Sequence, residues 1–111
     1  MARRAERVDA NQPEIVAMYR QMGCSVKHTH TLKGFVDLVV GISGHNALVE
    51  VKDGTKPPSA QKLTDAEFRF HEGWRGNPPV IVRSAADVVE HVSRVRREMN
   101  AALVQGGLVT D

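Results

Sequence analysis

The sequence predicts a single α/β domain in the order αβββαβα, built on a four-stranded mixed sheet flanked by helices. Three observations carry that expectation. Between Cys24 and Lys52, three β-rich segments follow one another behind a first helical pattern. A capping-box string, Thr64-Asp65-Ala66-Glu67, then opens a second helix, and a short Val80-Ile81-Val82 strand comes after it. A strand reached through a helical crossover runs parallel to one of the earlier three, which makes the sheet mixed. At 111 residues the chain is the size of one domain with one core.

Each element has a local reason. Residues 1–10 are charged, with Arg3, Arg4 and Arg7 among them, and are expected to form a flexible basic N-terminus. Asn11 suits an N-cap, Pro13 the first turn and Glu14 the positive end of a helix dipole. Ile15, Met18, Tyr19 and Met22 recur at helical spacing until Gly23, so the first helix is expected over 12–22. Cys24 to Thr31 alternates as a half-exposed strand does, and Lys33-Gly34 turns the chain. Val36 to Ile42 is almost continuously apolar and reads as a buried strand. Ser43 to Asn46 reads as a four-residue turn, with a third strand from Ala47 to Lys52. Asp53-Gly54 and Pro57-Pro58 mark a loop, and a helix from about Thr64 to Trp74 ends before Gly76-Asn77-Pro78. Ser84-x-x-Asp87 caps a final helix carrying Val88, Val89 and Val92 to about Leu103. The folded domain is thus expected over 11–103, with a flexible tail over 104–111.

Composition narrows the classes of function. Hydrophobic residues make up 41% and charged residues 25%, ordinary values for a water-soluble domain, while aromatics are only 5% and leave the core to aliphatic side chains. No apolar run approaches a membrane span, the opening residues lack a signal-peptide pattern, and the single cysteine, Cys24, makes no internal disulfide. A cytoplasmic protein with no membrane partner is the expectation. The net charge of +2 argues little for nucleic acid by itself. Its distribution says more, because arginines cluster at 3, 4 and 7 and again at 94, 96 and 97.

Charge inside the apolar hairpin is the chemical signal. Twelve residues separate Asp37 from Glu50, and Lys52 follows two residues later. With a four-residue turn, Val39 faces Glu50 and Asp37 faces Lys52. Side chains share a face at every second position, so Asp37, Glu50 and Lys52 converge while Leu38, Val40, Val49 and Val51 take the other side. Two buried carboxylates repel and cost several kcal/mol without a partner. Oxygen ligands at this spacing suit Mg²⁺ or Mn²⁺, with the Val51 carbonyl as a further ligand and Glu14 reaching the metal through water. Such a cation polarises a phosphate and acidifies a bound water, while Lys52 orients that water or stabilises the charge that develops on phosphate. The competing account is a structural ion cluster, in which Lys52 neutralises Asp37 across the hairpin and Glu50 is solvated at an edge.

These residues carry a family resemblance. Gly34-Phe35-Val36-Asp37 followed by Leu48-Val49-Glu50-Val51-Lys52 resembles the PD-(D/E)xK nuclease superfamily, whose core order is αβββαβ. Small stand-alone VRR-NUC-type domains of phage and prophage are the nearest in pattern, and archaeal Holliday-junction resolvases are more distant. The resemblance covers residues 11 to about 92. It implies a restriction-endonuclease-like fold, Asp37 and Glu50 binding metal, Lys52 serving catalysis, and Glu14 completing the site. It further implies a Mg²⁺- or Mn²⁺-dependent DNA endonuclease acting on branched DNA such as a four-way junction, in a bacterial or phage-infected cell. Symmetric cutting of a two-fold junction needs two sites, hence a homodimer. Arg3, Arg4, Arg7, Lys33, Lys56, Lys62, Arg69 and Arg75 are then candidate contacts to DNA phosphates. Two positions depart from the pattern. Val36 replaces the usual proline, and the helix glutamine has no clear match, Glu67 and Gln61 being the candidates. The alternatives are a structure- or end-specific nuclease working with a helicase or packaging partner, and a non-catalytic nucleic-acid-binding module of the same fold.

Other residues offer weaker signals. His28 and His30 share a strand face but have no third ligand nearby in sequence. His71 and Trp74 are expected to pack, the lone Trp in the core, with stacking on a base as the alternative for Trp74, and Cys24 reads as a small buried hydrophobe.

Overall fold

The computed structural model describes residues 9–105, so Arg3, Arg4, Arg7 and the tail from Gly106 lie outside the described residues. The elements are α1 (Gln12–Gln21), β1 (Ser25–His28), β2 (Leu38–Ile42), β3 (His45–Val51), α2 (Asp65–Gly73), β4 (Val80–Val82) and α3 (Ala85–Gln105), with a 3-10 turn over Pro58–Gln61 before α2. This is the αβββαβα order expected from the sequence. The sheet runs β1-β2-β3-β4, with the first three strands antiparallel and β4 parallel to β3. Among the described residues, no helix is long and apolar enough to cross a membrane.

Alternation along the strands builds the core. Leu38, Val40, Ile42, Ala47, Val49, Val51 and Val82 are buried on one face, beneath Ile15, Val16 and Tyr19 of α1 and Val88, Val92 and Val95 of α3. Val89, expected with that apolar set, is 41% exposed, since it sits one position round the helix from Val88. α2 covers the end of the opposite face, where Glu50 points away from its buried neighbours Val49 and Val51. The sheet therefore has a dry side and a charged side.

The β2–β3 turn is shorter than the sequence suggests. Ile42 pairs with His45, so the loop is only Ser43-Gly44, both left-handed at φ 49° and 88°. Two positive φ values match the twist of a tight hairpin, which explains the preference for two residues over four. His45 and Asn46 belong to β3 instead, and the register moves by two residues: Val39 faces Leu48, and Leu38 faces Val49. An even shift preserves the faces.

At Asp37 the ladder departs from regular pairing. The Asp37 amide donates to the Val49 carbonyl at 3.1 Å, although Val49 is already paired with Leu38. The Val51 amide donates to Asp37 Oδ2 at 2.8 Å instead of to the β2 backbone. Leu38 and Asp37, the residue just before β2, thus both oppose Val49, the geometry of a bulge, and the bulge turns the Asp37 carboxylate onto β3. The expected pairing of Asp37 with Lys52 does not form.

The start of α1 is fastened differently from the sequence expectation. Asn11 makes no side-chain cap to α1. Its amide nitrogen instead donates to the carbonyls of Lys52 at 3.1 Å and Arg83 at 3.0 Å, tying the helix start to the ends of β3 and β4. The capping box of α2 forms as its sequence predicts.

Candidate active site

Three elements deliver carboxylates to one place. β3 supplies Glu50, the bulge supplies Asp37, and the capping box supplies Glu67; both Asp37 and Glu67 lie within hydrogen-bonding reach of Glu50. Glu50 is only 2% exposed and Lys52 9%. Lys52 Nζ donates to Glu67 Oε1 at 2.8 Å, and the same oxygen accepts the Thr64 amide at 2.8 Å. The lysine is thus held by α2 rather than by Asp37, contrary to the cross-hairpin ion pair considered from sequence. Gln61 faces elsewhere, bonding the Lys56 carbonyl and Arg83 Nε, so Glu67 alone of the two candidates stands in the cluster.

Charge is in surplus here. Three carboxyls meet one ammonium, and burial, reinforced by Asp37 and Glu67, pushes the Glu50 carboxyl up to about 10. At neutral pH Glu50 therefore carries a proton unless a cation takes its place. Burial also works against the charge of Glu67, but Lys52 and the Thr64 amide outweigh it and hold that carboxyl below its usual range. His71 lies one turn beyond Glu67, with Nε2 3.3 Å from Glu50 Oε1. Burial lowers its pKa, so at neutral pH this contact is a hydrogen bond between an uncharged imidazole and the carboxyl rather than an ion pair. His71 thus belongs to the site, where sequence reasoning placed it in packing.

Glu14 does not join the cluster. It is exposed on the first turn of α1 and makes no hydrogen bond or ion pair to Asp37, Glu50 or Lys52 among the described residues. The acidic residue that the chain does bring near from this end is Asp9. Burial raises its pKa, and the charges acting on it are Lys56, Lys52, Asp37 and Asp53. Its only signal in the sequence is a carboxylate two residues before Asn11. Asp53, buried beside the end of β3, is turned to its own loop, accepting from the Thr55 amide at 3.0 Å and hydroxyl at 2.7 Å.

Lys33, Lys56, Lys62, Arg69 and Arg75 are all exposed and free to meet a ligand. The arginines of α3 divide their work: Arg96 donates to Ser43 Oγ at 3.0 Å and to the Met22 carbonyl at 2.7 Å, clamping the helix to the hairpin turn. His28 and His30 meet edge to face, ring centroids 6.0 Å apart. Cys24 is buried and free.

Among the described residues, no set of three or more His, Cys, Asp or Glu side chains is arranged to hold a metal ion. A cation at this place would rest on the Asp37 and Glu50 carboxylates and on backbone. In an extended strand the amide and carbonyl of one residue leave on the same side, so the Val51 carbonyl turns toward Asp37 as its amide does. Two carboxylates and a carbonyl are hard oxygen donors, and the excess negative charge around Glu50 is what a divalent cation would relieve. The donor set fits Mg²⁺ or Mn²⁺. No protein-family model, no curated protein and no solved structure matches the chain.

Proposed function

We propose that the chain is a Mg²⁺- or Mn²⁺-dependent DNA endonuclease of the PD-(D/E)xK type, with a restriction-endonuclease-like core. The observation that carries this reading is the convergence of Asp37 and Glu50, one on a bulge and one buried, with Lys52 held alongside. Asp37, Glu50 and the Val51 carbonyl would hold the cation, which when bound supplies charge neutralisation at a phosphate and a more acidic water. Lys52, steadied by Glu67, is the cation of the chain itself at this place and would stabilise charge developing on the phosphate. His71 orients the Glu50 carboxyl. Exposed Lys56, whose charge acts on Asp9 and Asp53, would meet the phosphate backbone, as would Lys33, Lys62, Arg69 and Arg75.

The substrate that suits this reading is branched DNA, cut by a homodimer with one site per strand. The test is cleavage of linear, flapped and four-way DNA by purified protein with Mg²⁺, Mn²⁺ or EDTA. We expect cation-dependent cleavage, lost by at least 100-fold in Asp37→Asn and Lys52→Ala, on the order of removing one stabilising group, with DNA binding retained in both. DNA binding without cleavage in every cation would replace this reading with a non-catalytic binding module.

A further inference from the structure

Aromatic residues are scarce in this chain, and their placement is uneven. Of three Phe, one Trp and one Tyr, only Tyr19 is in the core. Three of the other four, Phe35, Phe70 and Trp74, form one row, and Phe70 in that row also meets His71 beside the carboxylate cluster. Phe35, two residues before Asp37, meets Phe70 edge to face with ring centroids 5.4 Å apart. Phe70 in turn lies against Trp74, ring centroids 5.2 Å apart and planes tilted by 35°. Trp74 keeps 43% of its surface exposed, Phe68 on the same helix 54%, and Leu32 in the loop before Phe35 56%. A side chain at Gly76 would meet the indole nitrogen at 2.7 Å, so the loop after α2 closes against the edge of the ring and fixes its position.

Core formation does not account for this arrangement, because α2 contributes no buried residue. Exposed basic residues flank the apolar groups along the chain: Lys33 follows Leu32, Arg69 lies between Phe68 and Phe70, and Arg75 follows Trp74. Rings interleaved with cations match a nucleic acid strand with unstacked bases, whose faces stack on aromatics while its phosphates meet Lys and Arg. An apolar protein surface would have no use for the cations. A duplex, whose bases are already stacked, would have no use for the rings.

We propose that Phe70 and Trp74 form a stacking platform for unpaired bases, so that the substrate of the nuclease is DNA with a single-stranded or splayed segment next to the cut. This rests on the proposed nuclease reading for the position of the cut, though not for the binding itself. The row of rings starts at Phe35, in the segment that leads into Asp37, and ends about one turn beyond His71, so a strand with its phosphate at the carboxylates would lie along the rings.

Trp74 is the sole tryptophan, which makes its fluorescence a direct reporter. In EDTA, where no cleavage occurs, titration with a thymidine oligonucleotide should quench Trp74 to saturation, and a blunt duplex of equal length should quench it far less. Trp74→Ala, followed by anisotropy of a labelled oligonucleotide, should weaken single-strand binding by about 5- to 150-fold, the loss of one stacked base. Its duplex binding should stay within about twofold by the same reasoning, since stacked bases do not use the ring. Trp74→Phe should restore most of the affinity, which controls for folding. Equal quenching by duplex and single strand would overturn the platform. So would fluorescence that changes with protein concentration alone, which would mark a contact between two copies. Because these readouts need no metal, absent cleavage in the earlier assay would remove the nuclease and leave the platform standing.

Discussion

A carboxyl with 2% of its surface exposed and two other carboxyls beside it is stable only with its charge cancelled. For Glu50 the canceller is a proton or a cation, and the two are distinguishable by pH. Its folded-state pKa of about 10 lies above the ordinary 4.5, so the stability it contributes is fully present below about pH 4.5 and is lost as pH rises toward 10. His91 acts on the other side. It lies in the core, 2.8 Å from the Tyr19 hydroxyl. Burial, with Arg94 and His45, lowers its pKa from 6.5 to about 4. The unfolded chain then binds more protons between those values, so stability falls as pH drops from about 6.5 to 4. Between about pH 4.5 and 6.5 these two slopes oppose and cancel, so thermal melts in EDTA should be nearly level there and fall above about pH 6.5 along an alkaline arm from Glu50. Glu50→Gln should flatten the alkaline arm and raise the melting temperature at pH 8 by on the order of 5 °C. Mn²⁺ should do the same to the unaltered protein and nothing to the variant. An alkaline arm that persists in Glu50→Gln would assign it to another group.

The hairpin of β2 and β3 shows what an element adds to its residues. Its tight turn needs positive φ at two positions, and Gly44 sits at 88°. Gly44→Ala should destabilise the fold by about 1 kcal/mol or more, measurable as a lower urea midpoint with an unchanged slope. The order of elements and the two faces of the hairpin were legible in the sequence, because period-2 alternation survives any even shift of register. Turn length was not. Ser43-Gly44-His45-Asn46 is turn-forming throughout, and nothing local says that His45 and Asn46 pair instead. The bulge was illegible for a related reason: it is a departure from the period by which strands are recognised, and it decides where Asp37 points. Glu14 misled because a helix-start carboxylate was expected to face the site, whereas α1 is fastened through Asn11 and brings Asp9 there. Trp74 misled because a lone tryptophan suggests a core, and this core is filled by Val, Leu and Ile.

Across the whole molecule, charge is nearly balanced, with 15 basic and 13 acidic residues, so on the proposed reading any attraction to DNA would come from local fields rather than net charge. The carboxylate cluster would repel phosphate by itself. Lys56, which acts on both Asp9 and Asp53, offsets that repulsion at its rim. DNA binding should accordingly be steeply dependent on salt. Lys56→Ala should weaken it similarly for all sequences and reduce the slope of log affinity against log salt by about 1. An unchanged slope would place the phosphates away from this side of the protein.

The shared oxygen of Glu67 links two things usually considered apart. One atom, Oε1, receives both the Thr64 amide that closes the first turn of α2 and the Lys52 ammonium. A phosphate that drew the ammonium away would leave that oxygen wholly to the helix, and a helix start that closed more tightly on it would loosen the ammonium. Winding of the first turn and engagement of the target are then two readings of one balance. α2 also bears the aromatic rungs, so grip on the strand and readiness of the lysine would rise and fall together.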